Sequence, residues 1–189
     1  MDATSPPRVD AERNRRTLLD AAATALALDP EATLSDVAHR AGLARATLYR
    51  HFSNRDSLLD ALRDDALECA KIVVANARVD EGAALEVLRR VVTGIVSLSG
   101  RFRPLLMEGI DQDPEFLKLR QEAFMPIVAT IQRGQRAGEI RPDVSVVWVV
   151  TALMALLAAA VRMDKGRQEA EIVELVFGTF SSGIQATHG

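Results

Sequence analysis

The chain is predicted to be all-α, with about nine helices forming a short helix-turn-helix domain and a larger helical domain. Three observations predict this class. Apolar residues recur at helical spacing in almost every segment, and strand-like alternation is scarce. Aromatic residues make up only 4% of a sequence dominated by the strong helix formers alanine and leucine. Glycine and proline fall at the joints between periodic segments, as at Asp29-Pro30, Gly42, Gly138 and Pro142, where they end helices or shape turns.

The elements follow in order. The opening MDATSPPRVDAERNRR has no apolar core, so it is not expected to act as a secretory signal; it reads as a disordered lead with a basic cluster, Arg13, Arg15 and Arg16. The first helix is predicted from about Asp10 to Leu28, with Leu18, Ala22, Ala25 and Leu26 on one face, and Asp29-Pro30 ends it. Thr33 is placed as the N-cap of a short second helix carrying Leu34, Val37 and Ala38, with Asp36 in the first turn where an acid complements the helix dipole. Gly42 supplies the turn, because a positive φ costs glycine little. A third helix is predicted from about Ala44 to His51, and Ser53-Asn54 ends it.

Longer helices come next. One begins near Arg55 and runs to about Arg78, with Leu58, Leu59, Leu62, Ala66, Cys69, Ala70 and Val73 at a 3.6-residue period. Another spans about Glu81 to Leu98, closed by Gly100, and a short one spans Phe102 to Ile110 with Pro104 near its start. Pro114 opens a helix to about Gln135. Pro126 within it predicts a kink or break. The last two are expected from Val144 to about Met163 and from Gln168 to about Ile184; Ile172, Leu175, Val176, Thr179, Phe180 and Gly183 repeat at helical spacing in the latter. The domain boundary is set at the end of the third helix, giving 1–54 and 55–189.

A net charge of -3 gives no global basic signature, so binding to nucleic acid has to rest on local charge. That local charge is present. Between Val37 and Arg55 the charged residues are Arg40, Arg45, Arg50 and Arg55, with no acid among them. On a helix, Ala44, Leu48 and Phe52 share one face at i, i+4 and i+8, suited to pack on Leu34, Val37 and the first helix. Arg45, Ala46, Tyr49 and Arg50 share the opposite face, with Thr47 beside it. An apolar back that fixes the angle and a polar front for the major groove is what a recognition helix needs. Arginine pairs bidentately with guanine, and a small residue such as Ala46 admits close approach to a thymine methyl. Thr47, Tyr49 and His51 suit phosphates, and Arg55 is placed to clamp one from outside.

Thr33-Leu-Ser-Asp-Val-Ala-His-Arg-Ala-Gly-Leu followed by Ala-Thr-Leu-Tyr-Arg-His-Phe-Ser-Asn-Arg-Asp-Ser-Leu-Leu59 resembles the TetR-family signature, over about Glu12 to Leu62. The resemblance implies a homodimer on a double-stranded DNA operator, with a C-terminal pocket for a small-molecule effector that controls DNA affinity. By position it implies backbone or flanking contacts for Thr33, Thr47, Tyr49, His51 and Arg55, and base reading for Arg45 and Ala46. Arg13, Arg15 and Arg16 match places where N-terminal arms approach phosphates. Gly138–Val144, GEIRPDV, resembles the turn that precedes the first dimerisation helix. Two departures stand out. Arg45-Ala46 replaces a frequent Lys-Gly, and Arg55 replaces a usual lysine; arginine at 45 adds the means to read guanine.

Phe102, Leu106, Met107, Ile110, Phe116, Phe124, Met125, Val128 and Trp148 are the candidate effector lining, since sulfur and aromatic groups suit an adaptable cavity. Each also fits an ordinary core. Glu108, Asp111 and Arg162 are candidates to fix a polar ligand group or to be plain surface charges, and the low polarity of the region points to an apolar effector. Val146–Val161 is apolar except for Thr151 and shorter than the ~20 residues a membrane span needs. A helix apolar on all sides is expected between partners. Ala152, Ala155 and Ala159, with Ile172, Leu175, Val176, Thr179 and Phe180, are therefore assigned to a four-helix interface across a two-fold axis. That symmetry would set two recognition helices one DNA turn apart, about 34–36 Å, or further.

Catalysis finds no footing in the sequence. His39, His51 and His188 lack metal-ligand spacing with acids or Cys69, and there is no glycine-rich phosphate loop or G-x-S-x-G. Asp64-Asp65 and Asp111-x-Asp113 read as solvated carboxylates. No cofactor, metal or membrane is expected. The single cysteine allows no intrachain disulfide and suits the reducing cytoplasm. The function expected is a ligand-responsive DNA-binding repressor; the alternative is a dimeric DNA-binding regulator that needs no ligand.

Overall fold

The computed structural model describes residues 7–162 and 167–186, with side chains described from residue 15 onward. Arg13's side chain and His188 lie outside the described residues. The described chain is all-helical: α1 Pro7–Leu28, α2 Leu34–Arg40, α3 Arg45–His51, α4 Arg55–Asn76, α5 Ala84–Ser97, α6 Ser99–Met107, α7 Pro114–Arg136, α8 Val146–Arg162 and α9 Glu169–Ile184, with a 3-10 turn at Ile110–Gln112. An isolated antiparallel bridge joins Ile140 and Gln185.

Two prolines lie inside helices. α6 begins at Ser99, so Gly100 lies inside it instead of ending α5, and Pro104 is internal. The carbonyl that loses its donor belongs to Gly100, which is exposed, where water can take the place of the lost bond. α7 continues through Pro126, so of the kink or break expected there the break does not occur. Pro126 and Glu122, whose carbonyl it cannot satisfy, are both exposed, so the same replacement applies. No described helix is long and apolar enough to cross a membrane.

Packing divides the chain into two compact units. The first takes the chain through Asp65 together with Gly100–Glu108; the second takes Ala66–Ser99 and the chain from Gly109 onward. The division thus runs through α4 rather than before it, and α6 belongs with the N-terminal helices.

In the first unit Leu18, Leu19, Ala22 and Leu26 of α1, Leu34, Val37 and Ala38 of α2, Leu48 of α3 and Leu58 and Leu62 of α4 form the core. Arg101 of α6 ties it together by pairing with Asp20 of α1 at 2.5 Å and with Asp65 of α4. In the second unit α5 is central, with Val87, Leu88, Val91 and Val92 fully buried, and it packs on α7, α8 and α9. The α4–α5 connection is fastened by side chains reaching its carbonyls. Thr130 donates to Val79 O at 3.0 Å, Arg133 to Val79 O at 2.9 Å and Gly82 O at 3.1 Å, and Arg90 to Ala77 O and Glu81 O, both at 2.9 Å. Gly134 lets α7 meet α5 closely, since a Cβ there would lie 2.6 Å from the Ala84 Cβ.

Candidate nucleic-acid interface

The interface is built from the cap of α2 upward. Asp36 N–H donates to Thr33 Oγ1 at 3.2 Å, and Thr33 N–H donates back to Asp36 Oδ2 at 3.0 Å, a reciprocal capping box. The Thr33 hydroxyl also donates to Asp36 Oδ2 at 2.5 Å. These bonds, with the charges of Arg40 and Arg45 behind them, hold the Asp36 carboxyl below its ordinary value. α2 ends at Ala41. Gly42 follows at φ 65°, and Leu43 N–H donates to Ala38 O at 2.9 Å, closing the turn.

α3 has seven residues and an N-cap, Ala44, that offers no side-chain bond. A helix this short does not hold itself in water. Its position comes from its inner face, where Leu48 is 0% and Phe52 3% exposed. Ala44 is exposed, so the predicted three-residue inner face reduces to Leu48 and Phe52.

The outer face matches the sequence reading. Arg45, Ala46, Tyr49, Arg50 and His51 are exposed and Thr47 is half-buried beside them. Arg45 and Arg50 make no hydrogen bond or ion pair among the described residues, so both guanidinium groups are available to an outside acceptor. Arg40 is held by Asp29 at 2.8 Å and is less available. Arg16, exposed on α1, lies 3.9 Å from Asp65.

Arg55 is placed differently from the phosphate clamp expected of it. Its guanidinium donates to both carboxylate oxygens of Glu108, at 3.3 Å to Oε2, and to Pro30 O. The Glu108 carboxylate raises the guanidinium above the ordinary arginine value. Arg55 therefore joins the start of α4 to the end of α6 and to the α1–α2 turn, within the first unit. The α4 cap was also hidden in the Ser53-Asn54 break: Ser57 N–H donates to Asn54 Oδ1 at 2.8 Å, and Asn54 N–H donates to Ser57 Oγ at 3.3 Å.

The other predicted sites scatter. Among the effector candidates, Phe102, Leu106 and Met107 belong to the first unit and the others to the second. Leu106, Phe116 and Phe124 are buried; Phe102, Ile110 and Val128 are half-buried; Met107, Met125 and Trp148 are exposed. Trp148, 63% exposed, lies on the outward face of α8 with Val147 and Thr151 and does not line an enclosed cavity. A shallow cleft of about 320 Å³ in the second unit is lined by Asn76, Arg78, Glu81, Gly82 and Arg90, none of them candidates.

The expected interface face needs two corrections. Val176 and Phe180 are buried in the chain's own core with Val173 and Ile184, so they are not available to a partner. The 3.6-residue period puts Leu175, Gly178, Thr179 and Ser182 on the opposite, exposed side. Ala155 and Ala159 are exposed; Ala152 and Ile172 are half-buried. Among the described residues no three His, Cys, Asp or Glu side chains gather to hold a metal.

Known proteins bear on this geometry directly. Residues 18–62 match the family described as bacterial regulatory proteins, tetR family, and residues 80–182 match the transcriptional regulator SbtR-like C-terminal domain. The HTH-type transcriptional repressor LfrR of Mycolicibacterium smegmatis is 30% identical over 182 residues, 92% of this chain and 91% of that protein. The HTH-type transcriptional regulator NfxB of Pseudomonas aeruginosa is 28% identical over 68% of this chain and 70% of its own. The crystal structure of LfrR in complex with proflavine superposes with a TM-score of 0.75 at 29% identity, covering 94% of this chain and 99% of that one. Helix order, capped α2, outward-facing α3 and both domain matches agree: the chain belongs to the TetR family of bacterial transcriptional regulators.

Proposed function

We propose that the protein is a homodimeric repressor that holds an inverted-repeat DNA operator through α3 and releases it on binding a small, largely apolar effector. The observation that carries this reading is the division of α3. Leu48 and Phe52 fix it from behind, while Arg45, Ala46, Tyr49 and Arg50 stand open in front. Such a helix fits the major groove, with Arg45 facing a guanine edge and Tyr49, Thr47 and His51 near phosphates.

Dimerisation is supported by the outward faces of α8 and α9. Val147, Trp148, Ala155, Ala159, Leu175 and Thr179 are exposed there, an apolar surface that water disfavours. Small residues let helices from two copies approach closely. The effector is supported by similarity to LfrR, which has been solved with proflavine. α4 is one continuous helix, separated from α3 by three residues, and it continues into the second unit. An effector that favours one direction of α4 changes the separation of two α3 helices, and it shifts the equilibrium only by its differential affinity for the two states. Acting on DNA, such a regulator works in the cytoplasm.

Selection from a random double-stranded DNA pool tests this function. The expected product is an inverted repeat whose half-sites lie at least one helical turn apart, bound by two chains per duplex. A selected consensus without two-fold symmetry, or a monomer on gel filtration at micromolar protein, overturns it.

A further inference from the structure

α7 carries a charge where its periodicity calls for an apolar residue. Phe116, Arg120, Phe124 and Ile127 follow at i, i+4, i+8 and i+11, the same face of one helix. Phe116, Phe124 and Ile127 are 2%, 5% and 0% exposed. Arg120, half-buried between them, makes no hydrogen bond or ion pair among the described residues. The acid that acts on it is Asp111, and Asp111 is already held by Arg162 at 2.7 Å through Oδ2. Asp111 Oδ1 is buried and accepts no hydrogen bond. Asp111 thus bonds Arg162 and gives Arg120 no hydrogen bond. Burial draws the Arg120 guanidinium below the ordinary arginine value, and Asp111 only partly offsets it. A partly desolvated guanidinium with no acceptor is unfavourable in the free protein and favours any ligand that brings an anion.

We propose that Arg120 is the polar anchor of the effector site and that the effector is an amphipathic carboxylate, its acid group on Arg120 and its apolar body along half-buried Leu117, one turn earlier on α7. This names the ligand class for the effector-responsive reading above and rests on it. Guanidinium matches carboxylate bidentately, so a ligand of equal length with an alcohol or amine head is not an equivalent.

The test uses the full-length protein, its selected operator, and decanoate with decan-1-ol and decylamine as matched probes. Without ligand, Arg120→Met raises the melting temperature by about 2–4 °C, because an unpartnered charge is replaced by an apolar chain of similar length. An unchanged or lowered melting temperature means that Arg120 is already satisfied, and overturns the proposal. Decanoate raises the melting temperature of the native protein and weakens its operator binding at least about tenfold, a coupling of ordinary allosteric size. Decan-1-ol and decylamine do less, and Arg120→Met loses the decanoate response. Decylamine acting as well as decanoate, no thermal response to decanoate, or a response kept in Arg120→Met each overturns the anchor. Decanoate that stabilises the native protein, but not Arg120→Met, without releasing DNA supports the anchor and overturns effector-driven release instead.

Discussion

Leu48→Ala isolates what holds α3 in place. Leu48 is 0% exposed on a helix of seven residues that has no side-chain cap. The substitution removes three buried carbons, which at about 0.8 kcal/mol each gives about 2.4 kcal/mol of lost transfer energy. The space left behind adds to this, bringing the cost to about 3–4 kcal/mol, inside the range for buried leucines. For a chain of 189 residues, 1 kcal/mol moves the midpoint by about 2–4 °C, so thermal unfolding by circular dichroism falls by roughly 6–16 °C. Operator binding weakens for every sequence alike, because the whole outer face loses its support and no single base contact is lost. Leu48→Met keeps the volume and costs less than about 1.5 kcal/mol. An Ala variant with native midpoint and native operator affinity would refute the claim that α3 is positioned by this contact.

The other predictions follow from the same geometry. The Asp36 carboxyl sits below its ordinary value of 3.8 chiefly through the Thr33 hydroxyl. Its stabilisation is therefore fully present above pH 3.8 and is lost as pH falls through the lower folded value; the fall in midpoint between pH 5 and pH 3 shrinks in Asp36→Asn, and an identical acid profile argues against the capping box. Arg55→Ala, which frees Glu108, costs about 1 kcal/mol of stability and leaves the salt dependence of operator binding unchanged; a salt slope flattened by about one unit would restore Arg55 to the phosphate contacts. Leu175→Glu places a charge on the exposed side of α9 and gives a folded monomer in sedimentation, whereas Val176→Glu, one residue on, disrupts folding of the chain itself; dimeric Leu175→Glu would place the interface elsewhere.

Local signals were legible in the sequence and long-range pairings were not. Thr33 and Asp36 cap α2 because three-residue spacing brings cap and acid together whatever surrounds them. The two faces of α3 follow from helical geometry alone. Arg55, by contrast, has its partner Glu108 53 positions away, and nothing near Arg55 signals that pairing. The same holds for Glu139, whose carboxylate accepts from Ala84 N–H at 2.6 Å and starts α5. α9 is apolar on both sides, so its period could not say which of Leu175 or Val176 faces inward; only packing against α5 and α8 decides. Pro104 and Pro126 punctuate less than their residue type suggests, because water can reach the carbonyls they leave without a donor. Arg120 was readable and missed: a charge between two phenylalanines at helical spacing is a visible break in an apolar stripe.

On the proposed function the outer face of α3 reads DNA bases, and Arg45 decides at least one of them. Parallel selection of native protein and Arg45→Ala from the same random DNA pool tests it most directly. The expected consensus sites are symmetric and differ at one guanine position in each half-site, where Arg45→Ala loses about 1–3 kcal/mol of preference while the remaining positions stay as they were. An identical consensus with undiminished guanine preference would contradict it.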